Sequence, residues 1–402
     1  MTKPLKTSRP IRMRDIAEMA GVHITAVSAV LSPRPATRTR VSEETRERIL
    51  DLAKRLNYRP HFHAQIMRKR KTGLIAVIGF NNSEISSRRT GDAAYAVRSR
   101  GYQAMITNIF WHHKSGEGIG AREVVNSVLD AKVEGVILVM PTAGLDPAYV
   151  HEIQDAGIPC VAFDGMYFPG VSQVRVDAAM GAEMLTRHLL QLGHKRFMLI
   201  SSWGTESRDA NGNWPLLERI EGFSGAIQQA GGVVVDGMDL LKNLPASDMP
   251  VGATVISEPI NWRHQSDDRA GYDAVKRILR TRERPDVLFC GNDHYALGAL
   301  RACFEENIRV PEQMAVTGFA GEKYTEFLTP SLTTVDTLGV AASEAALDML
   351  VEMINGKRPA REGIIVKMPC QLIVRESCGS TPDKISLETS NPTVSSHAPP
   401  KK

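Results

Sequence analysis

From residue 74 onward the chain alternates short, continuous apolar runs with stretches of helical period, and that alternation constrains its fold more than any other feature. Runs at 74–80, 104–109, 136–140 and 160–163 are separated by helical patterns at 86–100, 118–131 and 147–156. A strand apolar on both faces needs cover on both sides, which right-handed crossover helices supply to a parallel sheet. A second series follows, with runs at 197–201, 233–235, 254–256, 287–290 and 315–319 and helical patterns at 180–192, 216–230, 270–279 and 295–306. The expected fold is therefore α/β, with two lobes of doubly wound parallel sheet. A chain of 402 residues that is 43% apolar has enough material for both cores.

The first 72 residues differ in charge. They hold 17 Lys and Arg against 6 Asp and Glu, a net of +11, whereas the remaining 330 residues are net −7. A small basic head on an acidic body is the electrostatic footprint of a nucleic-acid module. Residues 13–20 read as a short helix with Ile16, Ala17 and Ala20 on one face, and residues 25–31 as a second with Val27, Val30 and Leu31 inward. Ala20-Gly21-Val22-His23 joins them, with a glycine able to take positive φ, which is a helix-turn-helix signature. Ser42 then caps a longer helix to Leu56, with Glu43, Glu44 and Glu47 in its first turns and Ile49, Leu52, Ala53 and Leu56 as its apolar stripe.

The run 15–22 (DIAEMAGV), followed by Val27-Ser28, Glu44-Thr45-Arg46 and Asn57-Tyr58-Arg59-Pro60, resembles the headpiece of the lactose-repressor (LacI/GalR) family. The resemblance continues through 174–177 (VRVD), 193–196 (GHKR), 219–223 (RIEGF), 291–293 (GND), Gly318-Phe319, 330–335 (PSLTTV) and 375–377 (RES), in the family's order. It implies a transcriptional regulator, expected to be a repressor, with a core similar to a type I periplasmic binding protein whose chain crosses three times between lobes. The expected organisation is a headpiece at 1–60, a hinge helix and linker at 61–72, a two-lobed core at 73–378 and a disordered tail at 379–402. The first lobe is placed at about 73–174 and 338–360, the second at about 175–337 and 361–378.

By position the resemblance makes His23, Ile24, Thr25, Ser28 and Ala29 DNA-facing, with Arg14 and Tyr58 beside them. The base code is the chain's own, because His23 stands where a serine is usual and Ala29 where several members carry arginine. Ile24, Thr25 and Ala29 offer apolar contact and a hydroxyl but no bidentate guanine clamp. Arg34, Arg38 and Arg40, in a loop longer than usual for the family, read as phosphate clamps, and Met67 resembles the apolar wedge of the hinge.

Ligands of open α/β sheets bind at the carboxyl ends of the strands. Those ends place Phe80, Asn81, Phe163 and Asp164 in the first lobe and Asn292, Asp293 and Ala320 in the second, with Arg219 at the same mouth and Trp262 and Trp111 in loops nearby. By resemblance Asp164, Arg219 and Asn292 hydrogen-bond the effector. The family's Gly-Phe-Asp is here Gly318-Phe319-Ala320, so one carboxylate that clasps sugar hydroxyls is missing unless Glu322 reaches in. A sugar acid or sugar phosphate is the favoured effector, with a neutral sugar second.

Competing classes find little support. An α/β enzyme or a solute-binding protein would use the same two-lobed cleft, but no P-loop or nucleophile elbow is present and His112-His113 lacks a third ligand at metal spacing, so no cofactor and no metal are expected. Five scattered cysteines read as buried thiols. Met1 to Arg14 has no apolar secretory core and no run approaches membrane-spanning length, so a cytoplasmic protein without a membrane partner is expected. Its partners are double-stranded operator DNA, a small effector and a second copy of itself in a homodimer.

Overall fold

A computed structural model describes residues 11–31, 41–58, 72–80, 84–112, 117–141, 145–165, 168–201, 215–236, 252–257, 266–280 and 284–380. Two compact units emerge, divided after Gly73.

The smaller unit contains α1 (Met13–Ala20), α2 (Ile24–Leu31) and α3 (Glu43–Arg55). Ile16, Ala17 and Ala20 of α1, Val27 and Val30 of α2, and Ile49 and Ala53 of α3 form its buried core. The Asp15 carboxylate accepts from the Arg12 backbone N–H at 2.7 Å, holding the start of α1. Gly21 ends that helix at φ +62°, a region where a side chain would strain the backbone. Ser42 caps α3 by accepting from Thr45 N–H at 3.3 Å.

In the larger unit, the first sheet is ordered β13-β6-β5-β4-β1-β2-β3. Its strands are β1 (Leu74–Phe80), β2 (Gln103–His112), β3 (Glu117–Ile119), β4 (Gly135–Val139), β5 (Cys160–Phe163), β6 (Ser172–Val176) and β13 (Ile365–Met368). All pairings are parallel except the β2–β3 hairpin at the edge. Along β1, Ala76, Ile78 and Phe80 enter one core and Ile75 and Val77 the other, which is the two-faced burial that the continuous apolar run requires. Helices α4 (Glu84–Ser99), α5 (Ala121–Asp130), α6 (Pro147–Asp155) and α11 (Gly339–Ile354) accompany this sheet.

The second sheet is ordered β11-β10-β7-β9-β8, all parallel, from β7 (Arg196–Ser201), β8 (Val233–Asp236), β9 (Gly252–Ser257), β10 (Val287–Cys290) and β11 (Ala315–Thr317). Leu288 and Cys290 face one core, Val287 and Phe289 the other. Its helices are α7 (Ala178–Gln191), α8 (Pro215–Gln229), α9 (Asp267–Ile278) and α10 (Asp293–Glu305). A two-stranded antiparallel ribbon, β12 (Thr334–Asp336) with β14 (Gln371–Ile373), lies at the crossings.

Three details differ from the sequence expectation. Strand β13 pairs with β6 in the first sheet, so the third crossing falls between Met368 and Gln371 rather than near 361. The helical pattern at 118–131 begins instead as β3, because Gly120 takes φ +83° and starts α5 only at Ala121. Trp111 consequently lies within β2, paired with Gly118, and not in a loop. All five cysteines are free and buried, as their scatter implies.

Candidate functional site

The parallel strands of each sheet end at a shared mouth, and the residues just beyond those ends carry charge. Asp164 follows β5 at φ +53° and is buried; its Oδ1 accepts from Val176 N–H at 2.9 Å, which fixes the carboxylate across the end of β6. Phe163 is fully buried and lies under the Arg89 guanidinium, 5.7 Å from the ring centroid. Phe80 is also buried, its carbonyl accepting from the Ser86 hydroxyl.

From the second lobe, Arg219 on α8 stacks over Phe319 at 4.3 Å and donates from Nη1 to the Gly291 carbonyl. Burial lowers its pKa, against the field of Asp164 in the other lobe. Asn292 caps α10: its Oδ1 accepts from Tyr295 N–H at 2.8 Å and its Nδ2 donates to Asp267 at 3.0 Å. Much of the amide's capacity is thus spent within the lobe, and burial raises the Asp267 carboxyl. Ala320 is buried at φ +133°, a strained backbone for alanine, and its carbonyl accepts from the Thr337 hydroxyl at 3.2 Å.

Arg88, Arg89, His294 and Tyr324 lie outside the sequence-predicted set, whereas Asp293 and Glu322 belong to the strand ends and loop that the sequence pointed to. Arg88 and Arg89 enter the mouth from α4, and Arg88 Nη2 meets Glu322 Oε1 from the opposite lobe at 2.9 Å. Arg89 donates to the Thr337 hydroxyl at the crossing. Asp293, fully buried, accepts from Glu322 N–H at 2.7 Å and from the Thr334 hydroxyl at 2.5 Å, so it sets the path of the loop carrying Glu322. Burial pushes its carboxyl up to about 6. Tyr324 tilts against His294 at 5.5 Å, and burial raises its phenol. His294 reaches Glu84 of the first lobe at 3.3 Å. A sequence signal for Arg89 exists: it shares the buried side of α4 with Ser86, Thr90, Ala93, Ala96 and Val97, so a charged residue sits on a face of small and apolar ones.

Three guanidinium nitrogens at this mouth, Arg88 Nε, Arg89 Nε and Arg219 Nε, are buried without a hydrogen-bond partner, and Arg89 Nη1 has only Asp92 Oδ2 at 3.9 Å. The Tyr324 hydroxyl is likewise unpaired. Buried donors left unmade are costly, so the mouth is built for an acceptor-rich molecule. No group of His, Cys, Asp and Glu among the described residues could hold a metal ion.

In the headpiece, Arg14, His23, Ile24 and Thr25 are exposed, Ser28 and Ala29 half-buried. Tyr58 packs against the three-helix core, and burial raises its phenol. Arg34, Arg38, Arg40, Met67, Asn81 and Trp262 lie outside the described residues, as do the hinge segment up to 71 and the tail from 381.

Together, a helix-turn-helix unit and a two-lobed core with charged residues at its strand ends define a ligand-responsive DNA-binding protein. Profile comparison agrees at each part. "Bacterial regulatory proteins, lacI family" matches residues 12–61, "Periplasmic binding proteins and sugar binding domain of LacI family" matches 100–258, and "Periplasmic binding protein-like domain" matches 186–378. The chain belongs to the LacI family of bacterial regulatory proteins. It is a DNA-binding transcriptional regulator. Among similar proteins, the probable HTH-type transcriptional repressor ExuR of Bacillus subtilis (strain 168) is 25% identical over 91% of this chain and 98% of its own length. The lac repressor dimer bound to operator and the anti-inducer ONPF shares the fold, at TM-score 0.69, 20% identity and coverage of 92% and 99%. A complex of the regulator CelR with cellobiose does so at TM-score 0.57, 23% identity and coverage of 92% and 100%.

Proposed function

We propose that the chain is a homodimeric repressor whose paired headpieces grip a two-fold operator, and whose effector is a hydroxyl-bearing anion, a sugar acid or sugar phosphate, held between the lobes. The observation that carries the effector class is the set of buried, unpaired guanidinium N–H groups on Arg88, Arg89 and Arg219. A carboxylate or phosphate supplies the paired acceptors a guanidinium fork prefers, and Asp164 remains available to receive a hydroxyl. Ala320 itself adds no carboxylate to repel such an anion, and the carboxylate of Glu322 is already engaged with Arg88. The neutral-sugar reading is favoured by one observation, the cellobiose bound in CelR.

Arg89 suggests how occupancy is transmitted. It touches Thr337, which bonds Ala320 and lies just before the Leu338 cap of α11, so an anion that recruits Arg89 pulls on a crossing segment. A ligand of this kind shifts the two lobes toward one arrangement by its differential affinity for the two states. No described helix is long and apolar enough to cross a membrane, and the proposed place of action is the cytoplasm, where the chromosome is.

Electrophoretic mobility shift with genomic operator fragments, repeated at several salt concentrations and with a panel of sugar acids, tests this reading. If about six phosphates are neutralised, raising salt from about 50 to about 200 mM weakens binding roughly a thousandfold. A flat salt response overturns the DNA-binding assignment, and an operator complex indifferent to every sugar acid overturns the effector class.

A further inference from the structure

The start of α2 carries an arrangement that a serine in its place would not give. His23 precedes the helix, and its Nδ1 lies 2.9 Å from Thr25 Oγ1 and 3.4 Å from the Thr25 backbone nitrogen. The backbone N–H can only donate, so Nδ1 faces it with a lone pair. Two lone pairs at 2.9 Å would repel, so the Thr25 hydroxyl also turns its proton toward Nδ1. The ring proton is then on Nε2. Both side chains are exposed, on the helix that a helix-turn-helix unit lays in the major groove.

We propose that His23, as the Nε2–H tautomer, caps the recognition helix and fixes Thr25 as an acceptor, so that this chain reads a base amino group, adenine N6 or cytosine N4, at the pair facing Thr25. A hydroxyl whose proton is already committed presents only lone pairs outward, and among major-groove edges only those amino groups donate. His23 is thereby a positioning residue for the base contact, and its outward Nε2–H is left for a phosphate or another acceptor. The inference rests on the DNA-binding reading and adds the polarity of one contact to it.

The test uses the full chain and a duplex obtained by selection from a randomised double-stranded pool. The pair facing Thr25 is identified as the one whose preference collapses in Thr25→Val. At that pair the amino group is deleted, by purine for adenine or 2-pyrimidinone for cytosine, and separately the purine N7 is replaced by carbon. Amino deletion is expected to weaken parent binding by about fivefold to tenfold, on the scale of one net hydrogen bond, and N7 replacement to leave it unchanged. In Thr25→Val the amino deletion has no further effect. In His23→Ala, whose helix content is checked by circular dichroism, the penalty shrinks because the hydroxyl rotates freely; in His23→Asn, whose amide oxygen also caps, it returns. Sensitivity to N7 in place of the amino group, or an undiminished amino penalty in His23→Ala, overturns the inference. If no duplex is selected at all, the DNA-binding reading falls and takes the inference with it.

Discussion

Replacing Arg219 by alanine is expected to weaken effector binding by at least about a hundredfold while leaving effector-free operator affinity within a few fold of the parent. The side chain is a half-buried cation stacked on Phe319, anchored to the Gly291 carbonyl and left with a buried, unpaired Nε at the mouth. Truncating one partner of a buried, charge-assisted contact typically costs about 2–5 kcal/mol, because the other charge is left unpaired. Here that charge belongs to the ligand, and Asp164 also loses a compensating field. Arg219→Lys keeps the charge but not the planar fork, and an intermediate loss of about tenfold is expected. Calorimetric titration of the effector and operator binding without it give both numbers. An Arg219→Ala protein that responds like the parent removes Arg219 from the site.

The largest stability effect is expected at Gly298. Helices α9 and α10 approach so closely that a Cβ there would lie 1.8 Å from the Asp268 carbonyl oxygen and 2.6 Å from the Tyr272 nitrogen, and both are backbone atoms. Gly271 meets α10 in the same way, 2.2 Å from the Tyr295 carbonyl oxygen. Gly298→Ala must force the helices apart, and overpacking of this severity exceeds the usual 1–3 kcal/mol, so a loss of about 4 kcal/mol is expected. The wedge also separates Asp267 from the Asn292 cap, so effector binding should fall with stability. Gly91→Ala on α4 is the control, since nothing lies within 4 Å of its Cβ and helix propensity favours alanine by up to about 1 kcal/mol. Urea denaturation of both variants checks the contrast; equal midpoints contradict the packing account.

What the sequence reveals follows from how each element is stabilised. Strands β1, β5 and β10 fall on their apolar runs to the residue, because both faces of each are buried and nothing interrupts the pattern. Strand β6 does not read as a strand, since Ser172, Gln173 and Arg175 are all buried. Its polar side chains are matched by tertiary partners, with Gln173 donating to the Asp164 carbonyl and Arg175 facing Glu218, and such pairing has no local signature. Strands β12 and β14 have three residues each, too few to show a period. Helix α11 was legible but unassigned: Ala342, Ala346, Leu347, Leu350 and Met353 mark its buried face, yet it returns to the first lobe after an excursion through the second.

The site divides similarly. Asp164 and Arg219 follow from strand ends and motif, and the fields of both meet at the mouth. Arg88 and Arg89 do not stand out because their stretch reads as a scaffold helix, and only the packed structure shows an arginine over Phe163 and an ion pair to Glu322 across the lobes. The second-lobe carboxylate absent at Ala320 is thus present two residues later, and it is already engaged with Arg88. Glu322 is held there by Asp293 through its backbone, so the sequence change at 320 moves the acid rather than deleting it.

Calorimetric titration of the full chain with matched neutral sugars and sugar acids, in the parent and in Ala320→Asp, measures which effector charge the mouth selects. Sugar acids are expected to bind the parent more tightly than their neutral counterparts, since their carboxylates meet the unpaired nitrogens of Arg88, Arg89 and Arg219. The added carboxylate of Ala320→Asp is expected to weaken them through repulsion. Tight binding of a neutral sugar by the parent, strengthened in Ala320→Asp, would contradict the account.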